Sequence, residues 1–206
     1  MKIFSFPTFN VLKVLATAEE LALGFEFVLL DPSKGEHKTP EHLARHPLGK
    51  VPAIEHDGEY LYESNAICRY LAVISDSKMY AGTPRQRAII DQYVDLMTHH
   101  VGRWLSVYFF EESIKPRLLK QEASTEAVAE AAGFLKDQLP VIDNSLEADV
   151  FLGGDQITIA DTVAYAYFSI QESTTVNIEN YSNITRWYEA MRQRPAIQRA
   201  HAHLPS

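Results

Sequence analysis

Thr8 and Asn10 stand two residues apart where a short apolar run, Lys2-Ile3-Phe4-Ser5-Phe6, gives way to a helical pattern beginning at Val11. Across a tight turn that spacing can bring a hydroxyl and a carboxamide onto one small target. Small α/β domains that handle thiols carry a reactive Cys-x-x-Cys at such a turn, because the helix N-terminus favours the thiolate. This turn contains no cysteine. Thr8 and Asn10 also have a plainer use, since both residue types cap helices well.

The other chemistry-bearing residues are less suggestive. The single cysteine, Cys68, falls mid-helix beside Ile67, Tyr70 and Leu71, the setting of an inert packing residue. One cysteine excludes an intramolecular disulfide framework and fits a reducing compartment. Eight histidines give no metal-ligand spacing: His99 and His100 are adjacent and leave a helix on different faces, and His201-x-His203 falls in the C-terminal segment. No metal is expected.

Elements that must position the turn follow from the periodicity. Lys2–Phe6 reads as a strand, and Val11, Val14, Leu15, Ala18 and Ala22 recur at helical spacing, with Gly24 as the stop. Residues 25–30 read as a second strand, so the opening is β-α-β and the strands pair in parallel. Pro40 starts a short helix. Two more strands, 53–55 and 60–62, flank Asp57-Gly58, a strong hairpin signal. A helix carrying Ile67, Tyr70, Leu71 and Ile74 closes the unit. The order β-α-β then β-β-α is the topology of a thioredoxin-like α/β domain, expected over 1–77.

Residues 86–206 read as an all-α helical bundle, with 78–85 as linker. Ile90, Tyr93, Val94, Met97, Val101, Trp104, Leu105 and Tyr108 form one stripe between Pro84 and Pro116. Val128, Ala132, Leu135, Leu139, Ile142 and Leu146 form a second, in which Pro140 is expected to produce a kink. Thr158-Ile159-Ala160-Asp161 is a capping-box signature that opens a further helix. The chain has 206 residues and a net charge of −8, which disfavours a nucleic-acid or anionic membrane partner. The start lacks the apolar core of a signal peptide and no apolar run approaches ~18 residues, so a cytoplasmic protein is expected.

Three blocks then narrow the reading. Gly35-Glu36-His37-Lys38-Thr39-Pro40, His46-Pro47-Leu48-Gly49-Lys50-Val51-Pro52-Ala53-Ile54 and Glu63-Ser64-Asn65-Ala66-Ile67-Cys68-Arg69-Tyr70-Leu71, in that order, resemble the glutathione-binding half of cytosolic glutathione transferases. The box at Thr158–Asp161 and the closing Arg194-Pro195-Ala196-Ile197 are similar to that family's helical half. The three blocks resemble Phi- and Theta-type members, whereas Pro7-Thr8-Phe9-Asn10 resembles the bacterial Nu class. Val11 and Leu12 depart from that class, which usually has smaller or polar residues there.

The resemblance implies glutathione as co-substrate, with its thiolate held by Thr8 and Asn10 and Ser5 as runner-up for the hydroxyl. It implies that Glu63 takes the γ-glutamyl ammonium and Ser64 the adjoining carboxylate. Val51, before a cis Pro52, pairs with the cysteinyl backbone, and His37, Lys38 and Lys50 neutralise the glycyl carboxylate. Phe9, Trp104 and Tyr108 are the implied apolar wall for a hydrophobic electrophile or a disulfide. A homodimer is implied too, with Asp95 reaching the γ-glutamyl ammonium of a second subunit as in some members. The implied function is detoxifying glutathione transfer, with glutathione-dependent disulfide reduction beside it. The competing readings are a non-catalytic binding or scaffold protein of the same family, and a reductase working through Cys68.

Overall fold

A computed structural model describes residues 1–205, which divide into two compact units, Met1–Ala81 with the segment from Gln193 onward, and Gly82–Arg192. The first unit is built on a four-stranded sheet of β1 (Lys2–Ser5), β2 (Glu26–Leu29), β3 (Ala53–His56) and β4 (Glu59–Tyr62), ordered β2-β1-β3-β4. β1 pairs with β2 in parallel, Ile3 opposite Phe27, and with β3 antiparallel, Ile3 opposite Ile54. Both neighbours of β1 are occupied, so Ile3, Phe4 and Ser5 are all buried. The β3–β4 hairpin turns at Asp57 and Gly58 with φ of 53° and 84°, the pair of positive angles that matches strand twist.

Three helices of this unit follow the expected β-α-β and β-β-α order: α1 (Phe9–Glu20), α2 (Pro40–Arg45) and α3 (Ser64–Ile74). The stop of α1 differs from expectation. Ala22, not Gly24, takes the left-handed conformation, at φ 51°, and the chain closes through Leu23 N–H to Ala18 O at 3.0 Å. This is the Schellman arrangement, and its backbone bonds impose on an alanine an angle that glycine would adopt at less cost.

The second unit holds α4 (Pro84–Leu96), α5 (Gly102–Tyr108), α6 (Thr125–Ser145), α7 (Ile159–Phe168) and α8 (Ser182–Arg192). Wider π-type turns cover Met97–Val101 and Phe109–Leu119. Of the first apolar stripe, Ile90, Val94, Met97, Val101, Leu105 and Tyr108 are buried, while Tyr93 and Trp104 are half-buried. In α6 the buried position is Ala131 rather than Ala132, and the helix continues past Pro140. Every residue of α7 is buried, which makes it the central helix of this unit. At Gly102 a Cβ would lie 2.6 Å from the Tyr167 ring, so α5 and α7 approach closely only because no side chain intervenes.

The last helix, α9 (Pro195–Ala202), was expected with the helical half but packs on α1 of the first unit. Ile197 and Ala200 are wholly buried there. Arg194 grips Glu20 with two bonds of 2.5 and 2.7 Å, while Arg199 and His203 meet Glu19 at 2.6 and 2.8 Å. Among the described residues no helix is long and apolar enough to cross a membrane.

Candidate active site

The turn after β1 exposes two donor groups, and their partners define which atoms are left for a ligand. Thr8 is the N-cap of α1, extended at φ −152°, and its Oγ1 accepts from Val11 N–H at 3.2 Å. Capping uses a lone pair only, so the hydroxyl proton stays available as a donor. Asn10 is a first-turn helical residue rather than a cap. Its Oδ1 accepts from Lys13 Nζ at 2.9 Å and lies 3.5 Å from Ser64 Oγ. That leaves the Asn10 Nδ2 donors for a partner outside this set. Thr8, Phe9 and Asn10 are all half-buried.

Ser5 is placed differently. It is wholly buried in β1, and its hydroxyl donates to Phe6 O at 2.9 Å. A proton committed to the backbone inside the sheet is poorly suited to serve a ligand at the turn.

The start of α3 is the second component. α1 and α3 pack together, and the Ser64 hydroxyl reaching toward Asn10 brings the two helix N-termini to one place. Glu63 precedes Ser64 at φ 69°, ψ 107°, an angle pair costly for a residue with a Cβ. Its carboxylate is exposed and makes no cap bond to α3, so neither helix nor core accounts for that conformation. Two helix N-termini, with their unpaired N–H groups, make this end of the sheet attractive to anions.

A third component is basic. Lys38 donates to Leu48 O at 2.9 Å, holding the segment before Lys50, and Lys50 itself is exposed. His37 packs edge-on against Phe6 at 5.6 Å, and its Nδ1 is buried with no protein partner. Burial, helped by Lys38 and His42, holds the His37 pKa below the usual imidazole value, so the ring is neutral near pH 7. The Val51–Pro52 bond is cis, as the resemblance implied.

Two residues at this site were not singled out from the sequence. His42, wholly buried in α2, contacts Lys50 O through Nε2 at 2.8 Å, where a carbonyl requires the ring to donate. Lys13, 1% exposed, sits among buried Val11, Leu12, Val14 and Leu15. Its signal was legible: one lysine inside the run Val11-Leu12-Lys13-Val14-Leu15, where helical spacing leaves no polar face.

The aromatic residues implied as an electrophile wall divide between the units. In the second unit Trp104 stacks on Phe134, rings parallel within 4° and centroids 4.1 Å apart. Tyr108 is buried beside a small cavity lined by Leu135, Leu139 and Tyr181, where burial and the Glu112 carboxylate push its phenol pKa up. Cys68 is wholly buried, and burial raises its thiol to about 11 despite the opposing pull of Thr17 and Lys13. A thiol so poorly ionised is a weak nucleophile. Among the described residues no group of three His, Cys, Asp or Glu side chains is placed to hold a metal.

Residues 1–73 match the family model of the glutathione S-transferase N-terminal domain, and residues 99–195 match that of its C-terminal domain. The chain belongs to the glutathione S-transferase family. Among curated glutathione S-transferases it is 30% identical to the probable enzyme GSTF2 of rice, Oryza sativa subsp. japonica, over 97% of this chain and 94% of the other. A solved glutathione S-transferase-I bound with lactoylglutathione superposes with a TM-score of 0.91 at 26% identity, covering 98% and 99% of the two chains. A theta-class glutathione S-transferase from Xanthomonas axonopodis pv. citri, solved with glutathione bound, gives 0.87 at 26% identity over 97% and 95%.

Proposed function

We propose that this glutathione S-transferase activates the glutathione sulfur at the turn that begins α1, with Thr8 and Asn10 as its two donors. The observation that carries the reading is the state of those side chains. Thr8 Oγ1 accepts from Val11 N–H, and Asn10 Oδ1 accepts from Lys13 Nζ. Each residue still has a donor for a third group, the Thr8 hydroxyl proton and the Asn10 Nδ2 hydrogens, and a thiolate is a pure acceptor.

A free thiol with pKa near ~8.5 is only a few per cent ionised at neutral pH. Two N–H and O–H donors aimed at sulfur, with the α1 N-terminus behind them, favour the anion and lower that value. The thiol proton leaves to solvent, and the sulfur electron pair attacks an electrophilic carbon, forming a C–S bond as the leaving group departs. With a disulfide as acceptor, the same thiolate forms a new S–S bond and expels the other sulfur as a thiolate. Holding both reactants removes much of the entropic barrier.

The rest of the tripeptide has matching groups. The Glu63 carboxylate suits the γ-glutamyl ammonium, and Ser64 with the α3 N-terminus suits the adjoining carboxylate. The Val51 backbone is read as pairing with the cysteinyl unit in the manner of an added strand. Lys38, Lys50 and the unpartnered Nδ1 of His37 suit the glycyl carboxylate. Phe9, Trp104 and Tyr108 are the aromatic candidates for receiving a hydrophobic electrophile. A cytoplasmic homodimer with a detoxifying role is the reading taken from the family resemblance.

Thr8→Ala tests the assignment. The pH midpoint for forming bound glutathione thiolate, followed by its ultraviolet absorbance, is expected to rise by about 1–2 units, with kcat falling about 10- to 100-fold and affinity nearly intact. An unchanged midpoint in both Thr8→Ala and Asn10→Ala would overturn it. Calorimetric titration that detects no glutathione binding at millimolar concentration would favour a scaffold instead. Parallel assays with a halogenated aromatic and a small mixed disulfide separate the two acceptor classes.

A further inference from the structure

Lys13 is the largest polar side chain in the core of the first unit, and no packing argument requires it. It is 1% exposed on α1, with Val11, Leu12, Val14 and Leu15 all buried around it. Leucine or methionine would fill that volume without the cost of desolvating an ammonium. Its ammonium contacts Asn10 Oδ1, at 2.9 Å, and, at 5.4 Å, the face of the Phe9 ring. Both belong to the turn.

We propose that Lys13 is a positioning residue for sulfur activation: by holding the Asn10 carbonyl oxygen inward, it compels the Asn10 amide to present its N–H donors to glutathione. The inference rests on the reading that Asn10 serves the sulfur. A carboxamide is nearly symmetric in shape, and its two ends differ only in whether they donate or accept. An ammonium has three donors and no acceptor, so the Asn10 atom it meets is the oxygen. The Ser64 hydroxyl, 3.5 Å from the same oxygen, supports that choice from the far edge of hydrogen-bond range. The opposite rotamer would set the oxygen against the thiolate and repel it. The cation also polarises the amide, strengthening its N–H groups as donors.

The surroundings fit a charge kept for this purpose. Burial pulls the Lys13 pKa down to about 7, while Cys68 and Glu63, on and before α3, pull it up. From α9 and its flanks, Arg194 meets Glu20, and Arg199 and His203 meet Glu19, all at the other end of α1. A thiolate at the turn adds an anion that favours the protonated lysine.

Lys13→Met, Lys13→Gln and Lys13→Arg test the proposal in the full-length protein, with glutathione as probe. Met removes the donor, and Gln can meet either end of the amide, so neither dictates its orientation. Both variants are expected to raise the bound-thiolate midpoint by about one pH unit and to lower kcat at about pH 6.5 roughly tenfold, with KM for glutathione within about twofold. Arg is expected to restore most of the loss. In an Asn10→Ala background, Lys13→Met should add nothing. A wild-type midpoint in either the Met or Gln variant, with glutathione still bound, would overturn the proposal, as would an undiminished effect without Asn10. If Asn10→Ala moves the midpoint and Lys13→Met does not, only the role of Lys13 fails. If Thr8→Ala and Asn10→Ala also leave it unmoved, the underlying assignment fails.

Discussion

Lys13 in the first unit and Asp161 in the second are buried ionisable groups held in opposite ways. Asp161, at the start of α7, accepts Thr158 N–H at 2.8 Å, Thr158 Oγ1 at 3.1 Å, Leu152 N–H at 2.8 Å and the Trp187 indole at 3.0 Å. Four donors converge on one carboxylate and bind a loop, a helix cap and α8 to a single point. Lys13 donates to the Asn10 side chain at 2.9 Å, at the turn proposed to hold the glutathione sulfur. A buried charge that ties elements together reads as structure, and one that ties down a neighbour at a ligand-facing turn reads as function.

That contrast can be broken first at Asp161. Asp161→Ala strands the Leu152 and Thr158 N–H groups and the Trp187 indole in a dry interior, and should destabilise the protein by about 3–5 kcal/mol in denaturant titrations. A loss under about 1 kcal/mol would mean that water reaches those donors and that the centre is not structural.

Lys13→Met should move stability the other way. Removing a costly buried ammonium is expected to stabilise the ligand-free protein by on the order of 1–3 kcal/mol near pH 6, alongside the catalytic loss. Loss of stability in this variant would make Lys13 a structural residue like Asp161 and end the contrast.

The pH dependence separates the two charges more finely. The Lys13 pKa falls from 10.5 to about 7 on folding, so between those values the unfolded chain binds the extra proton. Its contribution to stability therefore rises with pH from about 7 to about 10. Asp161 is opposite: burial outweighs its hydrogen bonds and raises its pKa from 3.8 to about 6, so the folded chain binds the extra proton. Its contribution falls as pH rises from about 4 to about 6. Each slope should vanish in Lys13→Met and Asp161→Asn respectively, measured as differences from the wild type by urea unfolding.

The smallest effect is expected at Cys68, which lies beside Lys13 without sharing its role. With its thiol raised to about 11, Cys68→Ser should leave glutathione-transfer activity unchanged. Lost activity would revive a reductase that uses the protein's own cysteine.

Much of the fold was legible because local rules set it. The Asp57-Gly58 turn and the β-α-β order are short-range features, and the parallel β1–β2 pair, the β3–β4 hairpin and the helical half followed from the sequence pattern. The exceptions are instructive. Gly24 was the evident helix stop, yet the closing bonds from Leu23 and Ala22 end α1 two residues sooner. α9 reads as one more amphipathic helix, and nothing local says that its apolar face belongs against α1. At the candidate site, Thr8 and Asn10 were visible as residue types at a suggestive spacing, and Glu63 and Ser64 through the family resemblance. Lys13 is visible as a lone lysine in an apolar run but its partner is not, and His42 carries no local signal.

The sequence by itself determined which groups stand at the turn, which short elements flank it and that the chain resembles glutathione transferases. Those properties depend on residue type and on separations of a few residues. Tertiary structure alone decided that Ser5 spends its proton on Phe6, that Ser64 approaches Asn10 across 54 positions, and that Lys13 occupies the Asn10 oxygen. Which end of a carboxamide faces a ligand depends on the donors around it, and those are set by packing rather than by the identity of the asparagine.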